Sequence, residues 1–533
     1  MSPPAPIPSF IDVPLDEIPQ IRAELQAGFD SGKTKDIAFR KDQLLALGDL
    51  INENLDLINS AFAQDLGRHP AETNVIEITT VLSEIKFAYD NVARWAKPTS
   101  TPFHPAWVGM NPKVHKEPLG VLLIISPFNY PILLALNPLV GAIAAGNAVV
   151  LKPSEQTPAI SAVIADLFPK YLDQSLYRVV NGGIPETTKL LELPWGHIFY
   201  TGNGNVARII LTAAAKTLTP VSTELGGKSP VFIDPKCDLK TSVKRLMWGK
   251  TLNAGQTCTA PDYALVPRDF VDQFVQACVD VHVILFSPFF ARDSYHIYLF
   301  VPSLKEFYPN GVKASESYGR IVSPAHARRL QKLLDNTKGK IAHGGTAEPE
   351  ERYIEPTIVI DVKGDDSLMS EELFGPIFPV IAIDSLEEGI AFVNERDHPL
   401  TLHIFSKDAA YKAKVLNNTQ SGSVSINDTI VSYGVVGAPF GGIGPSGSGA
   451  YKGKYSFDAF SHHRTVIDNP AWTDLIMSER YPPYTAGGMR KMDMLAMPSL
   501  PSRRASNKHW TAWIVAAIAL VGGLVGVRQR TSS

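Results

Sequence analysis

The sequence predicts an α/β protein: a parallel sheet covered by helices on both faces, a second α/β layer, and an apolar helix near the carboxyl end. Three observations carry this prediction. The hydrophobic period changes from helical to strand-like at about residue 119. From there four short apolar runs alternate with four helical stretches, the pattern of βαβ units. Finally, residues 510–527 contain no charged side chain. At 533 residues the chain is too long for one simple core, so two or three domains are expected.

Residues 12 to 97 read as helical, because "DQLLALGDLINENLDLINSAFAQDL" places apolar residues three and four apart. "GVLLIISP" is a continuous apolar run of strand length, and "PILLALNPLVGAIAAG" follows it as a helix. "AVVLKPS", "YRVVNG" and "HIFYTG" are the next strands. "PAISAVIADLFPKYL", "PETTKLLEL" and "NVARIILTAAAKTL" are the helices after them. Ligands of such sheets bind outside the carboxyl ends of the strands. The residues there are Ser126 to Asn129, Lys152 to Glu155, Gly182 and Gly183, and Gly202 to Asn205, where a nucleotide would lie. From about 231 to 427, "AFVNERDHPLTLHIFS" and "SGSVSIND" supply helix and strand for another α/β layer. "FGGIGPSGSG", residues 440 to 449, lacks a strand before and a helix after it, so it reads as a flexible loop better than as a phosphate loop.

Trp510 to Val527, "WTAWIVAAIALVGGLVGV", reaches about 27 Å as a helix, close to the roughly 30 Å hydrocarbon core. Trp510 and Trp513 suit one interface, and Lys508, Arg528 and Arg530 flank the run. A tail anchor is expected, with the linker 467–509 before it. The amino-terminal stretch has no basic region followed by an apolar run, so a secretory signal is not expected. The three cysteines, Cys237, Cys258 and Cys278, form no CxxC pair, no disulfide framework and no metal-ligand pattern. Reduced thiols facing the cytosol are the simplest reading. A net charge of −3 gives no reason to expect a nucleic-acid partner.

The chemistry centres on "NAGQTCTAPDY", which holds Cys258 among small and polar residues. Read alone, such a cysteine is more often an inert small hydrophobe than a nucleophile. Glu224 lies 34 residues earlier in "STELGGKSP", beside two glycines that let the backbone approach a ligand. Asn129, on a sheet-end loop, offers a side-chain amide to an oxyanion. Alone, the first reads as a surface acid and the second as a turn residue. Lys152 and Glu155 suit ribose hydroxyls, and Glu372 with Phe374 in "EELFGP" suits a ribose and a ring. Together on one nucleotide-binding sheet they favour a thiol-based, cofactor-dependent reaction.

At this point the sequence resembles a known family. "PFNYP", "GNAVVLKPSE", "FYTGNGNVAR", "ELGGKSP", "NAGQTCTAPDY", "EELFGP" and "PFGGIGPSGSGAYKGKYSFDAFSHHR" occur in the order found in aldehyde dehydrogenases. "FDSGKTKDIAFRKDQLLAL" and "FDAFSHHR" are similar to the class 3 branch, with its membrane-anchored fatty aldehyde dehydrogenases and fungal β-apo-4′-carotenal oxygenases. The resemblance covers about residues 15 to 467. It implies a Rossmann-like cofactor domain with the helical region (12–230), a catalytic domain (231–427) and a return or oligomerisation segment (428–466). It also implies that Cys258 attacks an aldehyde, that Asn129 and the Cys258 N–H hold the oxyanion, and that Glu224 activates water. Lys152 and Glu155 would contact the adenine-side ribose. Gly202, Asn203, Gly204 and Ala207 would pass near the pyrophosphate, and Glu372 and Phe374 would hold the nicotinamide end. No metal is implied.

Two departures qualify this. Ala207 stands where the family usually has a glycine, so its methyl bears on the cofactor fit. Glu155 would repel a 2′-phosphate, which favours NAD while leaving NADP possible. Residues 279–302, "VDVHVILFSPFFARDSYHIYLFVP", have no counterpart in the family pattern. They read either as an extra membrane-contacting or substrate-guiding loop, or as translated non-coding sequence. The smooth join of the flanks favours the second. The expected function is NAD(P)-dependent oxidation of a long-chain apolar aldehyde, fatty or apocarotenoid, by a membrane-anchored homodimer. A cofactor-independent thiol hydrolase and an inactive anchored scaffold are the alternatives.

Overall fold

The computed structural model describes residues 6–104, 106–279, 281–284, 298–301, 303–496, 498 and 500–501. The predicted anchor, 510–527, lies outside them. Among the described residues no helix is long and apolar enough to cross a membrane.

The amino-terminal region is helical as its period predicts: α1 (Glu17–Asp30), α2 (Ile37–Asn52), α3 (Leu55–Leu66) and α4 (Thr79–Trp95). Asp36 starts α2 by accepting the Ala38 N–H at 2.8 Å. Gly67, left-handed at φ 60°, ends α3 and turns the chain inward. The apolar faces, including Leu44, Leu47, Phe62, Val81 and Val92, are buried.

Each predicted strand and helix of the βαβ region then forms: β1 (Val121–Ile125), α5 (Leu133–Ala145), β2 (Ala148–Lys152), α6 (Pro158–Tyr171), β3 (Tyr177–Val179), α7 (Ile184–Leu191), β4 (His197–Gly202), α8 (Gly204–Ala215) and β5 (Val221–Leu225). The strand order is β5-β4-β1-β2-β3, all parallel. β1 and β2 are buried at every position, which is why they appear in the sequence as unbroken apolar runs. Likewise α5 is buried along its whole length and has no polar face. The order reverses between β1 and β4, which makes the gap between their carboxyl ends the ligand crevice of the sheet.

The Gly-rich stretch 440–449, read from sequence as a flexible loop, is pinned instead. Phe440 and Tyr451 exchange backbone hydrogen bonds of 3.0 and 2.9 Å. Gly447–Ser448 adds antiparallel to β5, with Gly447 opposite Glu224. A Cβ on Gly447 would lie 2.3 Å from the Thr223 carbonyl oxygen, so glycine here allows close packing rather than freedom.

The second sheet holds β6 (Pro230–Ile233), β7 (Tyr263–Pro267), β8 (Lys340–His343), β9 (Thr357–Ile360), β10 (Ile377–Ile383), β11 (Thr401–Phe405) and β12 (Ser423–Ile426). Its order is β8-β9-β10-β7-β6-β11-β12. β8 runs antiparallel to β9, and the other neighbours are parallel. Phe232, Leu265, Phe378 and Ile404 fill its core. Helix α9 (Leu239–Thr251) follows β6 and leads into the 253–258 loop.

The segment 279–302 begins where α10 (Val271–Val279) ends. Val281–Ile284 pairs antiparallel with Tyr298–Val301, and residues 285–297 lie outside the described ones. Two compact units are distinguished. One comprises the described residues up to Lys97 with His115–Arg464; the smaller comprises Pro98–Val114 with the described residues from Thr465 onward. Within the smaller unit the Asp468 N–H donates to the Met110 carbonyl at 2.9 Å, and a helix spans Ala486–Ala496.

Candidate active site

Two loops lock together at the carboxyl edge of the first sheet. Asn129, on the loop from β1 to α5, donates its side-chain N–H to the Gln256 carbonyl at 3.1 Å. In return Asn253 Nδ2 donates to the Asn129 carbonyl at 2.9 Å and to the Gln256 carbonyl at 3.1 Å. Tyr130 and Thr257 share a hydroxyl contact of 2.6 Å. Gln256 reaches beyond the pair, accepting the Val322 N–H at 2.8 Å and donating to the Arg320 carbonyl at 3.0 Å. The loop bearing Cys258 is thus held from three sides. It is also strained: Asn253 and Ala254 both sit at φ 51°, a left-handed conformation that side chains disfavour by roughly 1–2 kcal/mol each.

Cys258 is partly buried, the other two cysteines fully so. Burial, then the charges of Glu372 and Glu224, push its thiol up to about 12, and the backbone N–H groups of Cys258 and Thr259 offset part of this. The two sequence-predicted acids are therefore electrostatic neighbours of the thiol. Glu224, on β5, is 3% exposed, and neither carboxyl oxygen has a hydrogen-bond partner among the described residues. Burial holds its carboxyl well above the ordinary glutamate value. A buried, unpartnered carboxyl beside a thiol is suited to exchanging a proton with a ligand or water, accepting one once it is ionised.

Glu372 is pushed up to about 8, chiefly by burial and then by Asp262, although the Gly227 N–H donates to it. Gly226 permits its position, since a Cβ there would fall 2.0 Å from Glu372 Oε2. The 371–374 segment is clamped from behind. Lys228 pairs with Asp262 and donates to the Leu368 and Glu371 carbonyls at 2.8 and 2.9 Å. Asp262 accepts the Leu373 N–H at 3.0 Å, and Arg329 donates to the Leu373 carbonyl at 2.6 Å. Phe374, at φ 49°, meets Phe128 edge-on with ring centroids 5.8 Å apart. That puts it at the mouth of the β1 loop.

The sheet-end residues fit a nucleotide. Lys152 closes β2 and donates to Glu155 at 2.6 Å, with the lysine buried and the glutamate 42% exposed at its side chain. Gly202 ends β4 and Gly204 opens α8, where Asn203 caps the helix by accepting the Val206 N–H at 3.0 Å. Ala207 is buried, its N–H donating to the Asn203 carbonyl at 3.1 Å, so its methyl packs into the sheet side of the helix. At the same edge Ser126 Oγ and Thr201 Oγ1 are buried without a partner among the described residues. These orphaned polar atoms, a helix amino terminus and a buried lysine paired with a part-exposed glutamate suit a dinucleotide cofactor.

Several members of the site had no individual signal in the sequence. Lys228 and Asp262 sit inside quoted motifs, yet only the fold shows them gripping the Glu372 segment. Lys250 is 1% exposed and lowered to about 8, mainly by burial. Arg68, on the loop just after α3, and Glu72 and Glu77, from the helical turns that follow it, stand behind the Asn129 loop.

Known proteins resemble this chain over most of its length. The model of the aldehyde dehydrogenase family matches residues 12–285 and 299–466, so the unmatched stretch is 286–298, narrower than the 279–302 expected from the sequence. The dimeric NADP-preferring aldehyde dehydrogenase of Rattus norvegicus is 43% identical over 86% of this chain and 96% of its own length. The aldehyde dehydrogenase family 3 member A2 of Mus musculus is 42% identical over 86% of this chain and 90% of its own. Among solved structures, the substrate-bound AldH of Staphylococcus aureus superposes with a TM-score of 0.78 at 40% identity, covering 84% of this chain and 93% of its own.

Proposed function

The chain belongs to the aldehyde dehydrogenase family, and from that premise we propose that it oxidises a long-chain, apolar aldehyde to its carboxylic acid through a thioester on Cys258. It is an NAD(P)-dependent enzyme of this family. The observation that supports the mechanism best is the convergence of three groups: the Cys258 thiol, the Asn129 amide one loop away, and the unpartnered Glu224 carboxyl.

In this reading the Cys258 thiol gives its proton to solvent water, and the sulfur then attacks the aldehyde carbon. The carbonyl electrons move to oxygen, and the Asn129 amide and the Cys258 N–H hold the alkoxide. A nicotinamide held by Glu372 and Phe374 would supply the acceptor for a hydride from the former aldehyde carbon. Collapse of the alkoxide expels that hydride and leaves a thioester on Cys258. Glu224 takes a proton from water as the water attacks the thioester, and the acid departs with the sulfur restored as thiolate. Glu372 and Phe374 would hold the nicotinamide end, and Lys152 and Glu155 the other ribose. So held, a 2′-phosphate would be repelled by the Glu155 carboxylate, so the preference proposed is NAD, with NADP accepted. The rat relative is named NADP-preferring, which makes the ratio an open measurement.

The substrate class rests on the uncharged run 510–527, outside the described residues. An anchored enzyme meets aldehydes that partition into lipid. The candidates are a fatty aldehyde, as in the name often given to the membrane-anchored branch that the sequence resembles, and an apocarotenal such as β-apo-4′-carotenal. We place the catalytic region on the cytosolic side and take the working unit as a homodimer. The hydrolase and scaffold alternatives are set aside, since the family supplies the cofactor and Cys258, Glu224 and Asn129 are all in place. The test is NAD and NADP reduction by the full-length protein in vesicles, across saturated, prenyl and apocarotenoid aldehydes. Preference for short soluble aldehydes overturns the substrate class.

A further inference from the structure

The Arg68 side chain is completely buried, yet it belongs to no element that carries the site. Its Nη2 donates to the Asn129 carbonyl at 2.5 Å. Its Nη1 pairs with Glu77, whose other oxygen accepts the Ile132 and Leu133 N–H groups at 2.9 Å each. Arg68 therefore grips the turn at Asn129 directly and at its far end through Glu77. Its Nε faces Glu72 at 3.4 Å, and Glu72 accepts the Asn253 N–H at 3.0 Å. Asn253 is the residue that donates to the same Asn129 carbonyl and opens the strained turn before Cys258. The guanidinium lies 4.9 Å from the ring centres of both Phe62 and Tyr130, which leaves it little room to move.

Resting on the aldehyde-oxidation reading above, we propose that Arg68 is a positioning residue: it fixes the Asn129 carbonyl, and with it the amide that faces the alkoxide, relative to Cys258. The geometry needs a planar fork. A guanidinium can reach one carbonyl and two carboxylates in fixed directions, whereas an ammonium is a point donor on a flexible stem. Stability alone does not require this arrangement, because a buried ion pair is often replaceable by neutral groups of similar volume. What a neutral replacement removes is the constraint on Asn129. Displacement of a reacting group by about 1 Å costs on the order of 100-fold in rate.

The test uses the full chain with saturating cofactor. Arg68→Met alone bares two buried acids and risks misfolding, so it is paired with Glu77→Gln, which keeps an acceptor for Ile132 and Leu133. Arg68→Lys, which keeps the charge, is the second variant. Each is expected to lower kcat roughly 10- to 100-fold, with the KM for NAD within about threefold of wild type. Adding Asn129→Ala to either should cost little more than Asn129→Ala alone, because both act on one group. A folded Arg68→Lys with kcat within twofold of wild type overturns the proposal. So does a combined loss equal to the product of the separate losses. If wild type forms no NAD(P)H with any aldehyde, it is the oxidation reading that falls. Positioning is then judged by iodoacetamide labelling of Cys258: a severalfold slower rate in the variants supports it, and an unchanged rate overturns it.

Discussion

Two buried polar clusters meet at the loops of the reacting centre, and they are built in opposite ways. Around Arg68 the set is nearly closed: two guanidinium nitrogens, both oxygens of Glu77 and one of Glu72 are engaged, while Nε has no hydrogen bond among the described residues. Around Cys258 the set is open: both Glu224 oxygens are unpartnered among the described residues, and the thiol has two acids for neighbours and no cation among its largest influences. Since buried polar groups in proteins are nearly always paired, the open set is the exception that needs a reason. The contrast separates two tasks. The closed cluster fixes where groups stand, and the open one keeps groups unsatisfied until substrate, cofactor and water enter.

The strongest way to break this division is at the thiol. Cys258→Ala should abolish aldehyde oxidation while NAD(P) binding, followed by fluorescence titration, persists. Measurable turnover by the purified variant would move the nucleophile elsewhere and leave the open cluster unexplained. The next largest effect belongs to Glu224. Glu224→Gln should lower steady-state kcat by about 10²–10⁴-fold, the range for a lost general base. It should still release about one equivalent of NAD(P)H in a burst, because the thioester forms before water is activated. Mass spectrometry should find the acyl group on Cys258. A variant slow in the burst itself would assign Glu224 to thiol deprotonation instead.

The sequence made the open cluster legible and hid the closed one. Cys258, Glu224, Glu372 and Phe374 lie in short motifs with glycines and prolines around them, because a backbone that approaches a ligand needs such residues. The strands were legible for a different reason: β1 and β2 are buried on both faces and so are apolar throughout. Arg68 left no mark. Its partners lie 4, 9 and 61 positions away, and the last is set by how the amino-terminal region docks. The 440–449 stretch misled because glycine density signals freedom in a loop, while here it marks backbone packed against the Thr223 carbonyl. The segment 279–302 stayed open, since an apolar run carries no mark of the surface it covers.

A smaller effect is expected at the cofactor end, where a buried lysine meets a part-exposed glutamate. The Glu155 carboxylate is 42% exposed and bonded to Lys152, so solvent screens it. Glu155→Gln should raise kcat/KM with NADP relative to NAD by about fivefold, the order of one unit-charge repulsion in a wet site. Aldehyde KM should stay constant. An unchanged NADP-to-NAD ratio would place the 2′-phosphate away from this residue and make the Lys152–Glu155 pair a surface feature only.

The smallest effect is thermodynamic and bears on the comparison directly. The folded chain holds the Glu224 proton far above the pH at which the unfolded chain releases it, near 4.3–4.5. Between those limits the folded state binds the extra proton, so the stability tied to that carboxyl is present in acid and is lost as pH rises. Glu224→Gln keeps the shape and removes the titration. It should therefore raise Tm by about 1–3 °C at pH 8 and by less at pH 5. Glu77 is also raised, to about 7, mainly by burial, but it is bound to Arg68 and to two N–H groups. Glu77→Gln bares the guanidinium's charge and should lower Tm at both pH values. Removing a charge from the open cluster then stabilises, and removing one from the closed cluster destabilises, as expected if only the first gives up stability to keep its groups available for reaction. Calorimetry of the two variants at the two pH values decides it, and a Glu224→Gln that lowers Tm at pH 8 would mean the open cluster is held by partners that its bare oxygens do not reveal.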